Sequence, residues 1–326
     1  MKVHASLTGP FPRSETLVQA TRDLDRGRTT EEAVEELYGR AERDVLVLED
    51  RLRFDVVTSG YLRWQDLFRP LAETWAGFTV GSLTRWFETN TFYRQPVLHA
   101  PPERTPGAIR DRLPPVFPSA GYGRALVSLP GPYTLVGLLE NRSGETPEAL
   151  THRLGRLLAD EVRELREVGY RSFQFHEPLL VVHPPKGPRA EAVVAAYRAI
   201  GEAAQGATSI LWTYFGDASD VGALLGRLAV TTVGIDLAET DWNRLDSFVG
   251  HHSLGVGCLD PRTTLVEKPE DVAEIVRSIV ERLGTSDVWL GPGGPLALLP
   301  SEPAIRKLEA LPAMQRLLTA TGGAAA

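Results

Sequence analysis

The sequence predicts an α/β fold, a single (β/α)8 TIM-type barrel with a long aromatic-rich arm inserted after the second strand. Three observations lead there. Eight short apolar runs fit strands, and most are separated by stretches of helical spacing; parallel strands need such crossovers, and eight of them close a barrel. No G-x-G-x-x-G follows the first run, so a doubly wound dinucleotide-binding sheet has no support. Neither a solenoid-length repeat nor a linker is visible, so residues 1–326 read as one domain, with residues 75–122 as the arm.

The elements follow in order. Lys2–Leu7 is a first strand, stopped by Thr8-Gly9-Pro10-Phe11-Pro12-Arg13. Thr29 with Glu32 makes a capping-box signal, and Val34, Leu37, Tyr38, Ala41, Val45, Leu48 and Leu52 then keep one helical face. Phe54–Thr58 is the second strand. The next stretch, to about Tyr122, is too long for an ordinary loop; within it Phe78–His99 fits a hairpin arm. Arg124–Leu129 is a strand ending in Pro130-Gly131-Pro132, and Thr146-Pro147-Glu148 opens a helix faced by Leu150, Leu154, Leu157, Leu158, Val162, Leu165 and Val168. That helix ends at Gly169. Arg171–Leu180 alternates as a buried strand and closes on His176-Glu177-Pro178, since proline cannot donate to a ladder. A helix over Ala190–Ala204 and a strand over Ser209–Phe215 come next. A helix near Val221–Leu228 then leads to strands Thr232–Leu237 and Ser253–Cys258. A helix with Val272, Ile275, Val276, Ile279, Val280 and Leu283 inward precedes the last strand, Val288–Leu290, and a helix from Pro303 closes the chain.

Composition narrows the function classes. Net charge is −7 with no strongly basic run, which argues against nucleic-acid and anionic-membrane partners. No apolar run is long enough to span a bilayer, and the start lacks the apolar core of a secretory signal. One cysteine, Cys258, excludes an internal disulfide. The expected location is the cytoplasm. Lysine occurs only at Lys2, Lys186, Lys268 and Lys307, which together with scarce Asn, Gln, Met and Cys suggests a GC-rich or heat-adapted source.

In a barrel of this class, chemistry sits at the C-terminal ends of the strands. His176 and Glu177 lie at such an end, and a carboxylate beside an imidazole can act as an acid–base pair. Against that, neighbours on a strand point to opposite faces, and Glu177 before Pro178 could instead tie down a loop arginine.

Several stretches together carry a family resemblance. They are Gly9-Pro-Phe-Pro-Arg13, Val57-Thr-Ser-Gly60 with Arg63-Trp64, Leu129-Pro-Gly-Pro-Tyr-Thr134, Phe173-Gln-Phe-His-Glu-Pro178, Gly255-Val-Gly-Cys-Leu-Asp260 with Arg262, and Trp289-Leu-Gly-Pro292. In this order and spacing the chain resembles the cobalamin-independent methionine synthases over nearly its full length. The resemblance implies methyl transfer from methyltetrahydrofolate to homocysteine, with the thiolate held on zinc. It also implies two barrels in a full-length enzyme, the C-terminal one carrying zinc and the N-terminal one helping to hold folate. Leu83-Thr-Arg-Trp-Phe-Glu-Thr-Asn90 and Leu211-Trp-Thr-Tyr-Phe215 look like the metal-free barrel, whereas the short Gly9-Pro10-Phe11 opening looks like the catalytic one.

The family's zinc ligands are a His-x-Cys pair, a Glu and a Cys. They fall here on Leu211 and Thr213, Asp236, and Gly294, so zinc is not expected. The aspartate that holds the substrate ammonium is His176 here, and an acidic residue near Gly60 is Tyr61. A chain with these residues is not expected to make methionine alone. Three functions stay open: one half of a split methyltransferase whose partner is a separate zinc-bearing barrel, a non-catalytic folate- or amino-acid-binding barrel, and metal-free acid–base chemistry by His176 with Glu177, Asp236 or Tyr61. For methyltetrahydrofolate, Arg13 and Arg85 suit its acidic tail, Trp64, Trp86 and Tyr214 its flat ring, and Thr213 with Asp236 the pocket floor. The bland alternatives are packing of the arm for the aromatics, an Arg85 paired with Glu88 or stacked on Trp86, and a leftover hydrogen bond for Thr213. His183 and the pair His251-His252 are remote candidates for a rebuilt metal site, and Cys258 reads as a small buried filler.

Overall fold

The computed structural model describes residues 1–248 and 252–320, so His251 lies outside the described residues. The described residues form ten strands: β1 Lys2–Ala5, β2 Ala76–Arg85, β3 Phe92–Glu103, β4 Leu126–Pro130, β5 Glu140–Asn141, β6 Ser172–His176, β7 Thr208–Trp212, β8 Thr232–Asp236, β9 Ser253–Leu259 and β10 Asp287–Pro292. Seven of them form one parallel sheet in the order β1-β10-β9-β8-β7-β6-β4. Its two edges, β1 and β4, are brought together by the second predicted strand. The Asp55 amide donates to Ala5 O at 3.2 Å, the Val57 amide to Arg124 O at 2.8 Å, and the Leu126 amide to Val57 O at 2.8 Å. The sheet is thereby curled shut.

Phe54–Thr58 is nonetheless not a regular strand, and only a single Val57–Ala125 bridge survives. The reason is local. The buried Glu49 carboxylate accepts from the Thr58 amide (2.8 Å), the Thr58 hydroxyl (2.9 Å) and the Ser59 amide (3.0 Å), pulling the chain off the ladder. Ser59, Gly60 and Tyr61 then all take positive φ, at 51°, 77° and 51°, a conformation that costs non-glycine residues and holds only where surrounding contacts impose it.

The helices follow the periodicity. Glu31–Arg51 buries Val34, Tyr38, Val45 and Leu48, but its cap is Thr30, whose hydroxyl accepts from the Ala33 amide, one residue later than the Thr29 signal implied. Pro147–Val168 starts at Thr146, stops at Gly169 (φ 121°) and seats Leu150, Leu154, Leu158, Val162 and Leu165 against the sheet with no exposed surface. The helix expected near Val221–Leu228 shrinks to Gly222–Leu225.

Inside the barrel, Trp212 is the plug. A Cβ built on Gly234 would lie 2.4 Å from its ring and one on Gly255 2.9 Å from it, so both glycines are required by close approach. Cys258 is buried with its sulfur 3.7 Å from that of Met314, as a filler would be, and burial pushes its thiol up to about 12.

The arm is the antiparallel hairpin β2–β3, with β5 added beside β3. Phe68 packs against Trp86 and Tyr93, which flank the hairpin turn. At its tip Phe87 meets Phe215 of the barrel with ring centroids 5.3 Å apart. The tip therefore lies over the C-terminal ends of the strands. Among the described residues no helix is long and apolar enough to cross a membrane.

Candidate functional site

His176 and Glu177 leave β6 in different directions, as neighbours on an extended chain do. Glu177 is wholly buried and works on the scaffold. Its Oε2 accepts from the Thr134 amide at 2.8 Å, and its Oε1 from the Tyr133 amide and the Tyr197 hydroxyl, each at 3.1 Å. It thus caps the short helix Pro132–Leu138, and a Cβ at Gly131 would lie 2.1 Å from its carboxyl carbon. Burial pushes its carboxyl up to about 7, opposed by these donors. Its partners are backbone amides and a tyrosine, not the loop arginine considered above.

His176 is also wholly buried. Its Nδ1 is 3.4 Å from the Tyr214 hydroxyl, and Nε2 has no partner. Gly9 backs onto the ring so closely that a Cβ there would be 2.9 Å from Cε1. Burial lowers the imidazole to about 3, so it is neutral at ordinary pH.

The other predicted residues divide between wall and mouth. The Tyr61 hydroxyl donates to Leu126 O at 2.6 Å and accepts from the Ser128 amide at 2.9 Å, which ties the second stave to β4. Burial raises its phenol well above the usual value. Thr213 donates to Gly234 O at 2.9 Å. Trp64 is buried, donates to Arg112 O and stacks edgewise on Tyr61. Asp236 ends β8, buried, with Oδ1 accepting from the Ala238 amide and Oδ2 lying 3.6 Å from Arg262; burial pushes it up to about 7 against Arg262. Arg85 is exposed at the end of β2.

Between the barrel mouth, the helix Glu15–Asp25 and the arm lies a cleft of about 570 Å³. Of the predicted residues, Arg13, Tyr61, Trp86 and Tyr214 line it, and His176 stands directly behind Tyr214. Arg85, Trp64 and Thr213 do not line it. Leu83 and Phe92 of the arm face it while 59% and 54% exposed. Arg22 is a lining residue that sequence reasoning missed; its spacing of four from Val18, which also lines the cleft, was the available signal. Among the described residues neither Arg13 nor Arg22 has an ion-pair partner. Asp66, the one acid in the wall, is consumed by the amides of Phe68 (3.0 Å), Arg69 (2.8 Å) and Arg94 (3.1 Å). A second hollow of about 750 Å³ lies beside the hairpin tip and is lined by Glu88, His183, Glu239 and Arg262. Arg262 there pairs with Glu239 and with Asp260 at 2.7 Å.

At the positions where the resemblance places the family's zinc ligands, Leu211 is apolar, Thr213 donates its hydroxyl to Gly234 O, Gly294 has no side chain, and Asp236 is the one residue with a ligating group. One carboxylate is far short of the three or four ligands zinc needs. Among the described residues no three His, Cys, Asp or Glu side chains lie together as a metal site.

The family model "Cobalamin-independent synthase, N-terminal domain" matches residues 55–284. The methionine synthase of Sulfurisphaera tokodaii is 26% identical over 308 residues, 93% of this chain and 88% of that protein. The methionine synthase of Sulfolobus acidocaldarius is 25% identical over 314 residues, with the same coverage. Among solved structures, a B12-independent methionine synthase from Shewanella sp. W3-18-1 in complex with selenomethionine superposes with a TM-score of 0.75 at 17% identity, covering 97% of each chain. A methyltransferase from Methanosarcina mazei gives 0.62 at 11% identity, covering 95% of this chain and 93% of that one. These likenesses show the same barrel fold. With the family model spanning most of its length, the chain belongs to the cobalamin-independent methionine synthase family.

Proposed function

We propose that this protein is a folate-binding member of the family that holds methyltetrahydrofolate in the 570 Å³ cleft and does not make methionine on its own. The observation that carries the reading is the cleft itself, where two guanidiniums without partners, Arg13 and Arg22, face a wall containing Trp86, Tyr93 and Tyr214. Guanidinium forks suit the carboxylates of a glutamate tail, and aromatic faces suit a flat ring. Arg85, exposed and outside the cleft wall, is not needed for this. The thiol of homocysteine is largely protonated at neutral pH without a Lewis acid, and the donor set at Leu211, Thr213, Asp236 and Gly294 supplies no zinc site. A separate zinc-bearing barrel is then the partner that completes methyl transfer.

Two measurements test this. Titration of 5-methyltetrahydrofolate should show saturable binding that Arg13→Ala and Arg22→Ala each weaken about tenfold, the loss of one charge-assisted contact. No binding to the wild type, or unchanged affinity in both variants, refutes the cleft assignment. Metal analysis of the purified protein should find far less than one equivalent of zinc; a full equivalent refutes the claim that it lacks a zinc site.

A further inference from the structure

The cleft has a one-sided charge inventory. Among the described residues its cations, Arg13 and Arg22, have no ion-pair partner, while the one acid lining it, Asp66, already accepts from three backbone amides and lies 3.6 Å from the Arg69 guanidinium. At the barrel end the wall is Tyr214, whose hydroxyl is turned to the wholly buried, uncharged His176. The carboxylate next in sequence, Glu177, is spent on Tyr133, Thr134 and Tyr197. The acids Glu88 and Glu239 line the hollow beside the hairpin tip, and Glu15 and Asp23 line an adjoining hollow that shares Arg13, Val18 and Arg22 but do not line the cleft itself. Among the described residues no uncommitted acid lines the cleft itself to replace the water that an ammonium group would leave behind, and an ion desolvated without a partner is strongly disfavoured.

We propose that the cleft selects organic anions that have a flat or aromatic body and no free ammonium group, and that it rejects free α-amino acids. This rests on the reading of the cleft as the ligand site. The carboxylate of such a ligand meets Arg13 and Arg22, its body covers Leu83, Phe92 and Trp86, and its far end meets Tyr214, behind which the buried His176 lies. His176 thereby acts as a specificity-determining residue through Tyr214.

The probes are 3-phenylpropanoate and L-phenylalanine, which share ring, chain and carboxylate and differ by the ammonium. Calorimetric or NMR titration of the whole chain should show 3-phenylpropanoate binding at least about tenfold more tightly. His176→Asp, which puts a carboxylate behind Tyr214, should narrow or reverse that preference, while His176→Asn should keep it. Equal or tighter binding of L-phenylalanine by the wild type overturns the proposal. So does binding of neither probe when 5-methyltetrahydrofolate still binds, because the cleft then does not recognise this class. Failure of all three ligands to bind overturns the cleft assignment itself and this proposal with it. Should His176→Asp not fold, the wild-type comparison decides alone.

Discussion

Glu177→Ala is the substitution that most sharply separates scaffold from chemistry at the end of β6. The carboxylate accepts three hydrogen bonds, from the Tyr133 and Thr134 amides and the Tyr197 hydroxyl, all in a site closed to solvent. Truncation leaves three buried donors without a partner. At about 1–3 kcal/mol for each orphaned group, less whatever the loop recovers by relaxing, the cost should be about 3–5 kcal/mol. Urea denaturation followed by circular dichroism measures it. The pH dependence has a definite sign. The folded-state pKa, about 7, lies above the ordinary 4.5. The folded state therefore holds this proton more tightly. The stabilisation is fully present below about pH 4.5 and is lost as pH rises through 7, a span worth about 3 kcal/mol. Glu177→Gln, which cannot titrate, should flatten that part of the profile. A Glu177→Ala variant within about 1 kcal/mol of wild type would refute the capping role. One that folds normally but loses folate would place the carboxylate on the ligand.

Tyr61→Phe should cost about 2 kcal/mol, because it orphans Leu126 O and the Ser128 amide, read as a lowered urea midpoint; an unchanged midpoint would mean that the phenol does not tie the wall together. Gly234→Ala should destabilise by about 1–3 kcal/mol through its clash with Trp212, read as a lowered thermal midpoint; an unchanged midpoint would mean that the plug can move aside.

Much of the fold was legible because burial writes periodicity into a chain. The faces of Glu31–Arg51 and Pro147–Val168 repeat at helical spacing, and the proline after Glu177 marks the strand end to within two residues. The second stave misled for a physical reason. Phe54–Thr58 has strand-like residues, but Glu49, from the preceding helix, competes for the very amides a ladder would use. The site was harder to read. Arg13 and Tyr214 could be named from motifs, whereas Arg22 carries no motif and enters the cleft only because its helix packs beside the mouth.

The sequence by itself determined the barrel, the arm and the family, since these depend on local pattern and on which residue types are present. Tertiary structure alone decided what the polar side chains do. It spent Glu177, Tyr61, Thr213 and Asp66 on hydrogen bonds within the wall, left Arg13 and Arg22 without partners, and buried His176 uncharged behind Tyr214. Adjacent letters in a chain do not reveal which donors will meet a given acceptor; that is set by segments tens of residues apart, and it separates a catalytic carboxylate from a helix cap.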